Sequence, residues 1–218
     1  MTMVDAQVNS LLPLAARDLI DGFKEISTPL ISDNLARLPG AIGLRQFHRS
    51  GRMVGTALTV KTRSGDNLAI HQALNIARPG DVIVVDGEGD LGRAVVGDLM
   101  KAIAESRGVA GFVIDGVIRD VDAFAAGDFP CFARGVIHRG PYKNGPGELN
   151  VPVSIGGMTV RPGDLVVGDE NGVIAFPQEI AHDLLTLVRA QQQREEAMLE
   201  EIHAGRYDGR YGRPAAAK

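Results

Sequence analysis

The stretch DVIVVDGEGDLGRAVVGDLMKAIAESRGVAGFVIDGVIRD, residues 81–120, decides the fold. It opens on a continuous apolar run from Val82 to Val85 that ends at Asp86, the pattern of a strand buried on both faces. GDLMKAIAESRG then predicts a helix opening at Gly97-Asp98 and closed by Gly108. GFVID, residues 111–115, reads as a second buried strand. Strand, crossover helix and strand together make a parallel pair with a right-handed connection. The stretch ends on Arg119-Asp120, directly beyond that second strand. A basic-acidic doublet is ordinarily a surface ion pair of little worth, but one placed here is a candidate for chemistry.

Working outward, residues from Ala6 to Leu38 show helical spacing, with Ile26, Leu30 and Leu35 among the apolar positions and helix starts at Thr28-Pro29 and Ser32-Asp33. VGTALTVKT, residues 54–62, alternates and is β-branched, as a half-buried strand should be, and NLAIHQALNIA returns to helical period. On the other side, PCFARGV, VPVSIGGMTV and DLVVGDENGVIAF are short strands broken by turns at Gly156-Gly157, Pro162-Gly163 and Asn171-Gly172. They predict an antiparallel or mixed sheet packed beside the first. ARPGD and VRPGD repeat one way of entering a buried strand.

Residues from Gln178 to about His203 form a long helix whose first half places Ile180, Leu184, Leu187 and Val188 on one stripe. Its second half, mostly polar with Met198, Leu199 and Ile202, is expected to leave the parent core and pack on a neighbouring subunit, so a homo-oligomer is predicted. The expectation is one α/β domain over residues 1–205, with a flexible tail over 206–218.

Composition narrows the function classes. A 44% hydrophobic and 23% charged chain is that of an ordinary globular protein, and no apolar run approaches the roughly 20 residues of a membrane span. The first residues lack a basic segment followed by an apolar one, so no export is expected. Cys131 is the only cysteine, which excludes an internal disulfide; set between aromatics, it reads as a buried inert thiol suited to a reducing cytoplasm. A net charge of −4, scattered basic residues and no Trp give no case for nucleic-acid binding.

The chemistry rests on Asp98, then twenty residues, then Arg119 and Asp120. Asp98 opens the crossover helix, and the doublet lies beyond the carboxyl end of the next strand, the edge where open α/β sheets collect ligands. The free amides and positive dipole end around Gly97, Asp98, Leu99 and Met100 suit a small carboxylate. Asp120 offers a hard oxygen for Mg²⁺ or Mn²⁺ held largely through water. Arg119 cannot lose its proton and would stabilise charge developing on an oxygen, while Asp98 would orient a water for proton transfer. Taken singly, Asp98 reads first as a helix N-cap, and Arg119-Asp120 as a structural pair or the cap of a helix beginning at Val121.

PGDVIVVDGEGD, VVGDLM, GVAGFVIDGVIRD, FPCFARG, RGPYKNGPGELNVPVSIGGMTVRPGD and GDENGVIAFP carry a further signal. Over roughly residues 25–205 they resemble the RraA-like family, which contains 4-hydroxy-4-methyl-2-oxoglutarate/4-carboxy-4-hydroxy-2-oxoadipate aldolases and regulators of ribonuclease activity. The resemblance implies a swivelling phosphohistidine-like β/β/α sandwich with mixed sheets and a long C-terminal helix, assembled as trimers or pairs of trimers with sites between subunits. It implies a metal-dependent pyruvate aldolase in which Asp120 anchors Mg²⁺ or Mn²⁺, Arg119 contacts the 2-oxo acid and a bridging water, Asp98 positions water, and the Gly97 to Met100 amides receive the pyruvyl carboxylate. It also implies a glutamate from a neighbour's tail helix near the metal waters, Glu195 or Glu196. Such a site would cleave a 4-hydroxy-2-oxo acid by retro-aldol reaction and decarboxylate oxaloacetate. The alternative the family offers is a protein-binding ribonuclease regulator without essential catalysis.

Other residues read as weaker. His71 and His138 lack a second ligand at metal spacing and read as structural. GEGDLGRAVVG lacks the fingerprint of a dinucleotide or phosphate loop, leaves a methyltransferase reading without support, and is expected to shape a pocket floor and lid. Lys143 lies in a Gly/Pro-rich loop unsuited to Schiff-base chemistry. Arg93 is a candidate for the far end of the pocket.

Overall fold

The computed structural model describes residues 6–37, 40–209 and 211. The first five residues, the end of the first helical segment at Leu38, and positions 210 and 212–218 of the tail fall outside the described residues; 206–209 form neither helix nor strand. The elements, in order, are β1 (Gln7–Val8), α1 (Arg17–Phe23), α2 (Thr28–Asn34), β2 (Arg45–Gln46), β3 (Met53–Thr62), α3 (Leu68–Ile76), β4 (Asp81–Val96), α4 (Asp98–Ser106) and β5 (Gly111–Ile118). Then come α5 (Val121–Ala125), β6 (Cys131–Val136), β7 (Gly147–Leu149), β8 (Val153–Ile155), β9 (Met158–Val160), β10 (Leu165–Asp169), β11 (Gly172–Phe176), a 3₁₀ turn at Gln178–Ile180 and α6 (Ala181–His203).

The predicted β4-α4-β5 unit forms the centre of a mixed sheet ordered β1-β7-β3-β4-β5-β6-β2, in which β3, β4, β5 and β6 run parallel. The far edge of β3 is shared: β10 pairs antiparallel with Met53–Thr56, and β7 with Val60–Thr62. Because side chains alternate along a strand, the apolar runs supply two cores at once. Ile83, Val85, Phe112 and Ile114 meet Ile70 and Leu74 of α3, Met100 and Ala104 of α4, and Phe124 of α5. Their neighbours Val82, Val84 and Val113 point the other way, onto the β8–β9 hairpin through Val153, Ile155 and Val160. The result is a β/β/α layering. Each fully buried large side chain contributes about 1.5–3 kcal/mol, so this double-sided burial fixes the register of the central strands.

A third cluster joins α1, α2 and the first half of α6 to β10 and β11, with Phe23 and Phe176 ring centroids 5.1 Å apart. The buried stripe of α6 is Ala181, Leu184, Leu185 and Val188, whereas Ile180 and Leu187 of the expected stripe are 40% and 55% exposed. At 3.6 residues per turn Ala181, Leu184, Leu185 and Val188 share one face and Leu187 is turned away from it, while Ile180 belongs to the 3₁₀ turn ahead of the helix. Beyond Val188 no residue of α6 is buried.

Three other expectations are corrected. β6 belongs to the parallel sheet, because the short helix α5 repeats the strand-helix-strand crossover. The N-terminal segment is not continuously helical. Pro13 interrupts it, Asn9 donates its N–H to the Leu149 carbonyl at 3.2 Å, and Ala15 donates to Thr56 Oγ1 at 2.8 Å, so the chain runs extended before α1. α2 starts at Thr28 with Pro29 in its first turn, as read, but Ser32-Asp33 falls at its end. The repeated Arg-Pro-Gly-Asp turns are one device used twice. The Arg78 and Arg161 amides each donate to the following aspartate, Asp81 or Asp164, at 2.8 Å, across a glycine of positive φ.

Candidate active site

The glycine-rich part of β4 is a bulged continuation of the strand, not a lid. Its partners on β5 run Asp86 with Asp115, Asp90 with Gly116, Ala94 with Val117 and Val96 with Ile118, so β4 spends extra residues to advance one position on β5. This slack brings Val96 and Gly97 level with the end of β5, where the Arg119 N–H donates to the Val96 carbonyl at 3.0 Å. Twenty residues of separation thereby close into direct contact.

At this edge the Asp98 N–H donates to Asp120 Oδ2 at 3.2 Å, and Arg119 Nε stands 3.4 Å from the same oxygen. Gly97 permits the contact: a Cβ there would lie 2.5 Å from Asp120 Oδ2 and 3.2 Å from Arg119 Nε. Gly97 caps α4 and Asp98 is its first residue, with Asp98 Oδ1 accepting the Leu99 N–H at 2.7 Å, so Asp98 is not the N-cap. Asp120 stands at the cap position of α5 in a left-handed conformation (φ 56°, ψ 43°) but makes no side-chain cap bond there. Its carboxylate serves the mouth of α4 instead. A left-handed aspartate costs of order 1 kcal/mol, and here the conformation aims the carboxylate at the neighbouring helix.

Asp98 and Arg119 line a cleft of about 80 Å³, with Gly97, Leu99 and Met100 on the same side. Asp120 is not among the cleft-lining residues; it stands behind Gly97 with its side chain 37% exposed. Of the helix-mouth amides expected to receive a carboxylate, those of Asp98 and Leu99 already have carboxylate partners in Asp120 and Asp98. A bound anion would take the Leu99 N–H in competition with Asp98.

The cleft is also lined by Asn67, His71, Pro141 and Lys143, which the sequence did not mark as site residues. Asn67 holds the cap position of α3 without capping it. Its Nδ2 donates to the Val95 carbonyl at 3.1 Å, and its buried Oδ1 has no partner among the described residues. Burial, and then the nearby Lys143 charge, lowers the His71 pKa from its ordinary 6.5, so the imidazole is neutral at pH 7. The only sequence signal was the density of polar residues in GDN and RGPYKNGPGE, which spacing alone cannot distinguish from turn chemistry.

Arg93 does not line the cleft. It donates to the Gly140 carbonyl at 2.8 Å and the Tyr142 hydroxyl at 2.9 Å and lies 4.0 Å over the Tyr142 ring, fastening the loop that supplies Pro141 and Lys143. Asp115 is structural: 5% exposed, it pairs with Arg134 and accepts the Gly156 N–H at 2.8 Å, tying the hairpin turn to the sheet. Glu195 and Glu196 lie on α6 and accept bonds from Gln191 and Gln192, apart from this chain's own cleft residues. Burial pushes the Cys131 thiol well above its ordinary range.

Among the described residues no three His, Cys, Asp or Glu side chains are grouped to cage a metal. A single carboxylate such as Asp120 is the kind of hard oxygen donor that an ion keeping most of its waters, such as Mg²⁺, would take.

Residues 28–175 match the model of the RraA-like family described as Aldolase/RraA. The chain belongs to the RraA-like family. A relative from Halalkalibacterium halodurans, which bears the provisional name 4-hydroxy-4-methyl-2-oxoglutarate aldolase, is 43% identical over 181 residues, covering 83% of this RraA-like chain and 86% of the relative. A solved structure of an uncharacterized Pseudomonas syringae protein superposes with a TM-score of 0.78 at 32% identity, covering 89% of this chain and 96% of that one. Streptomyces coelicolor RraAS2, described as an unusual member of the RNase ES inhibitor RraA family, superposes at 0.74 with 26% identity, covering 83% and 95%. The β/β/α layering with its long C-terminal helix is thus the RraA-like fold.

Proposed function

We propose that this chain is a divalent-metal-dependent lyase that cleaves 4-hydroxy-2-oxo acids of the 4-hydroxy-4-methyl-2-oxoglutarate type to pyruvate and decarboxylates oxaloacetate. The observation that carries the reading is the turning of Asp120 away from its own helix onto the mouth of α4, beside two cleft-facing groups, Asp98 and Arg119. Asp120 would hold Mg²⁺ or Mn²⁺ through one oxygen, and the ion would polarise the keto group of the bound acid.

The chain's own residues do the rest. Arg119, permanently charged and presenting a planar fork, balances the negative charge that accumulates on the keto oxygen as the C3–C4 bond breaks. Asp98 orients a water that takes the C4 hydroxyl proton in retro-aldol cleavage and later delivers one to C3 of the enolate. With oxaloacetate the same bond breaks with loss of carbon dioxide, and no C4 proton need be removed. Lys143 offers a positive charge at the cleft for a second carboxylate, and neutral His71 is a hydrogen-bond partner in the same lining. The cleft is small for a complete ligand site, so a second chain would complete it; the assembly we propose is a homo-oligomer, trimer or hexamer, in which Glu195 or Glu196 of a neighbour's α6 would complete the metal's water shell. A reducing cytoplasm suits the lone buried thiol. Among the described residues no helix is long and apolar enough to cross a membrane.

The test is pyruvate release from oxaloacetate and from 4-hydroxy-4-methyl-2-oxoglutarate. Turnover quenched by EDTA and restored by Mg²⁺ supports the lyase. Metal-independent or absent turnover moves the assignment to a ribonuclease-binding regulator, the class to which the Streptomyces neighbour's description points.

A further inference from the structure

Asp66 is wholly buried, and its two oxygens gather three segments of chain. Oδ1 accepts the Leu68 N–H at 2.9 Å, at the mouth of α3. Oδ2 accepts the amides of Asn144 at 2.8 Å and Gly145 at 3.1 Å, and Arg63 Nη2 at 3.0 Å. Two backbone bonds extend the seam: Tyr142 N–H to the Gly65 carbonyl at 2.8 Å and Asn67 N–H to the Tyr142 carbonyl at 3.0 Å. One carboxylate therefore joins the helix that carries Asn67 and His71 to the loop that carries Lys143. The other end of that loop is the part fastened by Arg93.

We infer that Asp66 is a positioning residue for the part of the cleft lined by Asn67, His71 and Lys143, fixing where the Lys143 ammonium stands relative to His71 and to the unpaired Oδ1 of Asn67. Asp66 does not line the cleft and touches no bound group; it acts through the loop. A buried carboxylate accepting several N–H bonds is hard to replace, because the isosteric amide turns one acceptor oxygen into a donor that opposes the amides it faces. Asp66→Asn should let residues 142–145 relax away from α3. The inference rests on the lyase reading only for what the cleft binds; the placement of Lys143 is read separately.

The separate readout is His71, whose neutral form is favoured first by burial and then by Lys143; the other charged groups lining the cleft are Asp98 and Arg119. The His71 ring is titrated by NMR in wild type, Asp66→Asn, Arg93→Ala and Asp169→Asn. Asp169 is a comparable buried carboxylate, accepting the Thr28 N–H at 2.8 Å in a different part of the core, and controls for general destabilisation. The expected result is a His71 midpoint that rises toward 6.5 in Asp66→Asn, rises less in Arg93→Ala, and stays at the wild-type value in Asp169→Asn. With oxaloacetate and Mg²⁺, Asp66→Asn should raise KM about tenfold with kcat within about threefold, the signature of lost binding geometry. An unmoved His71 in Asp66→Asn, or an equal shift in Asp169→Asn, overturns the inference; if Asp66→Asn does not fold, Asp66→Ser, which removes the carboxylate without setting an amide donor against the Asn144 and Gly145 N–H groups, takes its place, and an unmoved His71 there overturns the inference equally. A wild type without turnover would sink the lyase reading while the His71 titration still judged Asp66.

Discussion

Gly97→Ala isolates the geometry of the site from its chemistry, because it removes no functional group. The backbone at Gly97 is extended (φ −147°, ψ −168°), so alanine meets no conformational penalty there. The new methyl would stand 2.5 Å from Asp120 Oδ2, when an ordinary contact begins at 3.4 Å, so the carboxylate must retreat by about 1 Å. Retreat loses the Asp98 N–H bond to Oδ2 and displaces Arg119, whose Cγ and Nε would each be 3.2 Å from the methyl. A misplacement of about 1 Å at a reacting centre costs on the order of 10²-fold in rate, or about 2.7 kcal/mol of transition-state stabilisation. Stability should fall by only about 1 kcal/mol, at the low end of overpacking costs, since the displaced groups are 44% and 37% exposed. The assay is kcat/KM for oxaloacetate with saturating Mg²⁺ beside a thermal melt. Wild-type activity in a folded Gly97→Ala protein would refute the claim that these groups must meet at the mouth of α4.

Arg119→Lys should lower kcat/KM about 10²-fold, because an ammonium lacks the planar fork, and an activity within threefold of wild type would remove Arg119 from the chemistry. Lys143→Met should raise the His71 midpoint, read by NMR, only part of the way to 6.5, because burial is the larger cause and persists; the imidazole would then begin to charge at a higher pH than in wild type. Cys131, fully buried with its thiol pushed up, should resist iodoacetamide at pH 8 in the native protein and react once urea unfolds it. Stoichiometric labelling of the native chain would contradict its burial.

The parallel unit was legible because buried strands and an amphipathic crossover helix leave unmistakable periods, and residues 81–115 carry both. The β8–β9 and β10–β11 hairpins were legible from their turn residues for the same local reason. The direction of β6 was not, because a five-residue helix has too short a period to announce a crossover. Nor was the bulged course of β4, since GEGDLGRAVVG has the composition of a loop and only its pairing with β5 makes it strand. At the site, the spacing of Asp98 and Arg119-Asp120 suggested their proximity from topology alone. Asn67, His71 and Lys143 were missed or set aside because the contact between their two segments, Asp66 with the Asn144 and Gly145 amides, spans 78 and 79 residues, and no local pattern records it.

On the proposed function, Asp120 at the mouth of α4 would hold a hydrated dication beside the cleft. Titration with Mn²⁺ in the presence of oxalate, followed by water-proton relaxation, measures this without relying on turnover. One ion per chain with fast-exchanging waters is expected in wild type, and loss of that binding in Asp120→Ala with an unchanged circular dichroism spectrum. Equal Mn²⁺ binding by the two proteins would contradict it.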